Sequence, residues 1–456
     1  MASGNEDAVG SGESDRGSGK PRPRKPRQNG GRYGFDDYLN APITEHTVDG
    51  AKPGDLCDCC PSGRYYYSED KRQLEFTGGP ILKVQKHIKK TLRCNRCGHE
   101  KINHKKIVKW SPQANSAIVL HKIYGSPWNR MSRIQKLFGI PVAASTLWER
   151  FKGVWQDSGK YIVSELYTLG VESPLWGTDD TGMKILSVMK ANELLPESER
   201  RACHTTAICT SYGPFKINLY ITANRYCREN WVPLLENRET KEILLIMTDA
   251  SSQSLPKGEE LNRVVSGLCL GGHARRKFKD IEGNYPEECR YFLGLISDLY
   301  KNESLCRGKD PQERLEYHQE HSQPIINAIY LRIETLFDQK IVEPNSDFGK
   351  AMKYWLNHKE GLTVFLRVVG APLDTNWVER ALRIMALYRN ASLFFKTEAS
   401  AMILSDMFSL VTTCETNGIN AFEYLNWIQD HWKEVQKNPR AYLPWNFKNE
   451  TEGIAA

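Results

Sequence analysis

No run in this 456-residue chain is long and apolar enough to span a bilayer, which excludes a helical membrane protein. The N-terminus has no apolar signal core, so secretion is not expected and the cytoplasm is the expected compartment. Heptads that would sustain a coiled coil are missing from the same region. Residues 1–36 contain almost no large apolar side chains and are rich in Gly, Ser, Pro and Arg. Such a segment buries too little surface to offset its ordering entropy, and a disordered basic tail is expected. A disulfide scaffold is not expected either: the 12 cysteines are spread over a long chain, which points to metal ligation or free thiols. What remains is an ordinary soluble composition, 40% apolar and 26% charged, with length for two or three domains.

The net charge of +7 is mild, but its distribution is not even. Basic residues cluster at 20–32, 83–109 and 273–279, and clustered positive charge is what a phosphate backbone attracts. In the tail the run K-P-R-P-R-K-P-R reads equally as a solvated arm or as a non-specific DNA-binding one. Residues 37–110 carry two C-x-x-C pairs, Cys57/Cys60 and Cys94/Cys97, each followed closely by a glycine (Gly63, Gly98). Four thiolates suit one tetrahedral structural Zn²⁺, and a hairpin of R-Y-Y-Y-S and I-L-K-V-Q-K-H fills the gap between the knuckles. Cys59 competes with Cys57 or Cys60 as ligand, and redox or incidental cysteines are the competing reading. His99 and His104 are weaker candidates, more often surface histidines.

Residues 111–170 are helical in pattern, with apolar residues at helical spacing on both sides of a Gly139–Pro141 break. That fits a helix-turn-helix with Ser145 or a neighbour capping the second helix, placing Thr146, Glu149 or Arg150 near DNA. An ordinary helical hairpin fits as well. Residues 171–254 form a strand-rich block, in which L-W-G-T-D-D-T is followed by K-I-L-S-V-M, H-T-T-A-I-C-T-S-Y and F-K-I-N-L-Y-I-T-A. Gly213-Pro214 marks a hairpin turn between the last two. W-V-P-L-L-E-N-R reads as a helix, and E-I-L-L-I-M-T-D as a fully buried, parallel strand ending at Asp249. Three strands, a helix and a strand ending in Asp is the element order of an RNase H-like α/β fold, in which acidic residues of the first and fourth strands meet at one sheet edge.

Asp179 and Asp180 lie inside the first strand's apolar run, where a carboxylate costs several kcal/mol unless a cation or proton compensates it. Residues 255–370 are expected to be an inserted helical subdomain, too long for a simple connection. In it N-R-V-V-S-G-L-C-L-G-G-H-A-R-R-K-F reads as helical, and His273, Arg275, Arg276 and Lys277 cluster on about one turn, either as a solvated face or as phosphate contacts. Cys269 and His273 share a spacing of four, a weak metal case with only two ligands. Residues 371–430 return to the core. There D-T-N-W-V-E-R-A-L-R, as a helix capped by Asp374 or Thr375, puts Asn376, Glu379, Arg380 and Arg383 on one face. The tail 431–456 carries no evident chemistry. Asp179, Asp249 and Glu379 are the residues expected to converge on divalent metal.

Taken together, C-D-C-C, C-N-R-C, D-D-T-G-M-K-I-L, G-H-A-R-R-K-F, L-D-T-N-W-V-E-R-A-L-R-I-M-A-L-Y-R-N-A-S-L-F-F and T-C-E-T-N-G-I-N-A-F-E-Y-L resemble the IS66 family of transposases. The resemblance implies that Asp179, Asp249 and Glu379 are the catalytic DDE residues, using Mg²⁺ (or Mn²⁺), and that the cysteine region binds Zn²⁺. It implies an RNase H-like core, cleavage of DNA at terminal inverted repeats and strand transfer to target DNA. It further implies a homo-oligomer on DNA, small element-encoded accessory proteins, and a bacterial, nucleoid-associated location. The family usually reads Asp-Glu-Thr-Pro where this chain has Asp179-Asp180-Thr181-Gly182, and Gly271-Gly272 replaces an aromatic-rich lead. The competing readings are a domesticated or decayed DNA-binding protein without catalysis, and an RNase H-like nuclease without strand transfer.

Overall fold

β-branched and aromatic residues alternate through three consecutive segments, and these build the antiparallel half of a mixed sheet. The computed structural model describes residues 52–58, 62–66, 79–88, 91–93, 100–102 and 108–447. Two compact units divide at residues 78 and 79. In the first, Leu56 and Arg64 form an antiparallel bridge, and the Cys57 amide donates to the Gly63 carbonyl at 2.9 Å. Cys59 and Cys60 lie outside the described residues, as do Cys94, Cys97, His99 and His104.

In the second unit, strands β1 (Thr91–Arg93) and β2 (Glu100–Ile102) pair antiparallel and bracket the segment of the second cysteine pair. The I-L-K-V-Q-K-H stretch, expected as a strand, forms none among the described residues. Its Leu82 backbone is instead held from both sides by the buried Gln135 amide, at 3.3 and 3.2 Å. Four helices follow: α1 (Pro112–Ile123), α2 (Trp128–Leu137), α3 (Ala144–Val154) and α4 (Lys160–Val171). Helices α2 and α3 flank the expected break, which Gly139 makes with a φ of +72°. Ser145 does not cap α3; the cap position is Ala143, with no side-chain bond to the helix.

The main sheet has five strands: β3 (Leu175–Met183), β4 (Cys203–Tyr212), β5 (Phe215–Ala223), β6 (Leu244–Thr248) and β7 (Val264–Leu268). Their spatial order is β5-β4-β3-β6-β7, with β3, β4 and β5 antiparallel and β6 and β7 running parallel to β3. Two readings are corrected here. K-I-L-S-V-M leads into α5 (Leu186–Glu193) instead of remaining in the strand block. R-V-V-S-G-L, read as helical, is the edge strand β7. A short apolar run has no period that separates the two states, and pairing with β6 decided it. Helix α6 (Cys227–Glu236) joins β5 to β6.

Every residue of β6 is buried because its two faces enter different cores. Leu244 and Ile246 join the core with α4 and α6, while Leu245 and Met247 join the core of the insertion. That insertion comprises α7 (Arg275–Lys279), α8 (Pro286–Leu305), α9 (Pro311–His321), α10 (Gln323–Asp338), α11 (Asp347–Asn357) and α12 (Lys359–Leu362). The chain returns through α13 (Asn376–Ser392) and α14 (Glu398–Thr416), which cover one face of the sheet; Ser405 and Ser409 of α14 hydrogen-bond to Thr222 and Tyr220 of β5. Helices α15 (Ala421–Asp430) and α16 (Trp432–Lys437) close the fold by packing, with Tyr424, Leu425 and Ile428 fully buried. No helix among the described residues is long and apolar enough to cross a membrane.

Candidate active site

A strand sends alternate side chains to opposite faces, and on β3 this separates the two adjacent acids. Gly177, Asp179 and Thr181 face α13. A Cβ on Gly177 would stand 2.5 Å from Val378 Cγ2 and 2.8 Å from Trp377 Nε1, so glycine is what lets the first turn of α13 lie against the strand. Further along, Arg389 of α13 donates to Thr181 Oγ1 at 3.0 Å and to the Gly182 carbonyl at 2.9 Å. Thr178 and Asp180 face α6, where the Cys227 amide donates to Asp180 Oδ2 at 3.1 Å.

The neighbouring strand supplies the second acid. Gly177 pairs with Met247, so Asp179 and Asp249 each lie two residues beyond that pair on parallel strands. Adjacent strands are about 4.8 Å apart. The Ser251 amide donates to Asp249 Oδ1 at 3.2 Å and fixes the turn that follows β6. Glu379 lies in the first turn of α13, half-buried, with Oε1 against the backbone of Gly272. Burial, followed by the negative charges of Asp249, Asp180 and Glu379, pushes the Asp179 carboxyl up to about 7, against the opposing hydrogen bond from the Asp180 amide to its Oδ1 at 2.8 Å. Asp180 is also raised by burial, with His204 and the Cys227 amide offsetting part of it.

The three acids named from the sequence thus share one electrostatic field at the same end of β3 and β6. Among the described residues, however, no three His, Cys, Asp or Glu side chains stand close enough together to hold a metal ion. The residues are half-buried, all-oxygen donors from three elements, and that donor chemistry suits Mg²⁺.

The cations divide into two groups. Lys277 reaches over the Tyr354 ring at 5.1 Å, and burial, followed by the negative charge of Asp249, raises the Tyr354 hydroxyl, so the insertion brings a phenol into the field of the second acid and an ammonium over that phenol. Arg275, Arg276, Arg380 and Arg383 are exposed and His273 is half-buried. Arg150 lies elsewhere, over the Trp110 ring at 5.8 Å, in an open cleft of about 550 Å³ with Lys109, Ser145, Thr146 and Glu149. Neither Asp374 nor Thr375 caps α13 through its side chain; Asp374 instead accepts hydrogen bonds from Gly271, Cys269, Tyr300 and Asn376. Cys269 is buried, and its thiol donates to Asp374 Oδ1. Sequence reasoning did not single out Arg389, Tyr354 or Asp374 as site residues. Nothing in local spacing marks them, because each comes to the site through the packing of α13 or the insertion.

Comparison with known proteins adds a family. The model of the transposase IS66 family matches residues 108–403. Three uncharacterized proteins of Sinorhizobium fredii (strain NBRC 101917 / NGR234) are similar. The one called y4jD is 22% identical over 428 residues, covering 88% of this chain and 80% of the relative. Proteins y4qI and y4hP are 29% and 28% identical over 188 and 193 residues, covering 40% and 39% of this chain. The match spans about a third, 34%, of the length of each of those two.

Proposed function

This chain belongs to the IS66 family of transposases, and from that premise we propose that it is a DDE transposase that cleaves DNA at transposon ends and joins the freed 3′-OH to target DNA. The observation that supports this reading is the register that sets Asp179 and Asp249 each two residues beyond the Gly177–Met247 pair of parallel strands, with the first turn of α13, which carries Glu379, against β3 at Gly177. The sheet order, three antiparallel strands followed by two parallel ones, supports an RNase H-like core.

Asp179, Asp249 and Glu379 are the residues that would hold Mg²⁺ or Mn²⁺. When bound, the metal would supply Lewis-acid activation of the attacking oxygen and neutralise charge on the leaving one. The chain's own residues do the rest. Asp179 must be ionised to bind a cation, and burial, followed by its neighbours' negative charges, holds the proton that has to leave. Lys277, with Arg275, Arg276, Arg380 and Arg383, supplies positive charge for phosphates on either side of the acids. Arg150 and His273 extend that set, Arg150 at the helical pair α2–α3. Cys57, Cys60, Cys94 and Cys97 would hold a structural Zn²⁺. Partners are the terminal inverted repeats, target DNA, further copies of the chain on DNA, and small accessory proteins, in the nucleoid of a bacterial cytoplasm.

A non-catalytic DNA-binding role is the second reading. It is favoured by one observation, that no three ligand side chains among the described residues stand close enough to hold an ion. Incubating the purified chain with Mg²⁺ and duplexes carrying the inverted repeats that flank its gene separates the readings. Cleavage with joined ends supports the transposase, and cleavage without joining indicates a nuclease. Binding alone, persisting after the neighbouring gene products are added, supports the non-catalytic role. Asp249→Asn and Glu379→Gln should each abolish cleavage and leave binding intact.

A further inference from the structure

One carboxylate ties both ends of the insertion to the helix that carries Glu379. Asp374 Oδ1 accepts from the Gly271 amide at 2.8 Å and the Cys269 thiol at 3.3 Å. Its Oδ2 accepts from the Tyr300 hydroxyl at 2.7 Å and from Asn376 Nδ2 at 3.0 Å. The four donors come from the entry to the insertion, from α8 within it, and from the first residue of α13. Beside them the Leu270 amide donates to the Leu373 carbonyl at 3.0 Å. The glycine pair makes this closure possible. A Cβ at position 271 would stand 2.7 Å from Asp374 Oδ1 and collide with the Tyr300 hydroxyl, and one at position 272 would stand 2.6 Å from Glu379 Oε1. Backbone therefore presses directly on two carboxylates, and the turn that emerges from it carries His273, Arg275 and Arg276.

We propose that Asp374 is a positioning residue for the transposition chemistry. It fixes the register between the first turn of α13 and the turn after β7, so that Glu379 and the cationic cluster stand at the same end of the sheet. This rests on the reading of the site as a transposase. Asp374 touches no reacting atom; it acts through Gly271, Gly272 and Tyr300. An aspartate here fits the arrangement, because all four of its partners are donors and a carboxylate accepts at both oxygens. An asparagine would aim an N–H at Tyr300 or Asn376.

The test uses the full chain with Asp374→Asn and the milder Tyr300→Phe, which removes a single bond. Three quantities are read: amide exchange in peptides covering 266–280 and 374–382, affinity for the inverted-repeat duplex, and single-turnover cleavage. Asp374→Asn should speed exchange at residues 270–274 about tenfold while peptides of β4 and β5 are unchanged. Duplex affinity should stay within about threefold and cleavage fall at least about tenfold, with Tyr300→Phe in between. Unchanged exchange at 270–274 in both variants overturns the proposal, as does cleavage that falls only in proportion to the folded fraction. If the wild type cleaves nothing even with the neighbouring gene products added, the transposase reading fails and exchange alone decides: faster exchange at 270–274 upholds the clasp, and unchanged exchange removes it. Should Asp374→Asn fail to fold, Tyr300→Phe carries the same comparison.

Discussion

Replacing Gly177 by alanine tests how closely α13 must approach β3. The added methyl would meet Val378 Cγ2 at 2.5 Å and the Trp377 ring at 2.8 and 2.9 Å. Ordinary carbon contacts begin near 3.5 Å, so something must retreat by about 1 Å. Val378 is fully buried and β-branched, with one favoured rotamer in a helix, and cannot swing aside. The retreat therefore falls on α13 itself, one residue before Glu379. Overpacking of this kind costs about 1–3 kcal/mol of stability. A displacement of about 1 Å at a reacting group costs up to about a hundredfold in rate. Denaturant midpoints and single-turnover cleavage by Gly177→Ala measure the two effects separately. Wild-type stability with wild-type turnover would refute the argument that Gly177 sets the α13–β3 distance.

Asp406 offers a test away from the site. Burial raises its carboxyl to about 6, against the hydrogen bond from Trp155 Nε1 at 2.7 Å. A raised acid binds its proton more tightly in the folded chain, so stability falls as pH rises from about 4 to about 6 and then levels off. Two pH units correspond to at most about 3 kcal/mol. Asp406→Asn keeps an acceptor for Trp155, so it should stabilise the chain at pH 7.5 and give no gain near pH 4, read by denaturation at both pH values; destabilisation at pH 7.5 would contradict this. Metal analysis should find about one Zn per chain, lost when Cys94 and Cys97 are both changed to serine. A protein purified without zinc and folded normally would remove the zinc module.

Much of the core was legible because its chemistry conflicts with its setting. An Asp-Asp pair inside an apolar strand, an unbroken apolar run ending in Asp249, and a helix with one carboxylate among arginines each stand out against local pattern. The run of β6 was readable as buried on both faces, which the structure explains by two cores meeting across it. Strand β7 was not readable, since five residues of Val, Ser, Gly and Leu take their state from the partner strand. The same holds for K-I-L-S-V-M, whose last four residues enter α5. Which member of the acidic pair faces Glu379 follows from the phase of β3, set by Gly177 under α13. Asp374 looked like a helix cap, and only the return of the insertion past Gly271 shows its actual partners.

That phase makes the most direct test a comparison of Asp179→Asn with Asp180→Asn in Mg²⁺-dependent cleavage of the inverted-repeat duplex. Both variants should bind the duplex as the wild type does. Asp180→Asn retains an acceptor for the Cys227 amide and should cleave within about tenfold of wild type, whereas Asp179→Asn should lose at least about a thousandfold. Equal loss in both variants, or cleavage by Asp179→Asn at the wild-type rate, would contradict the assignment of Asp179, Asp249 and Glu379 as the catalytic set.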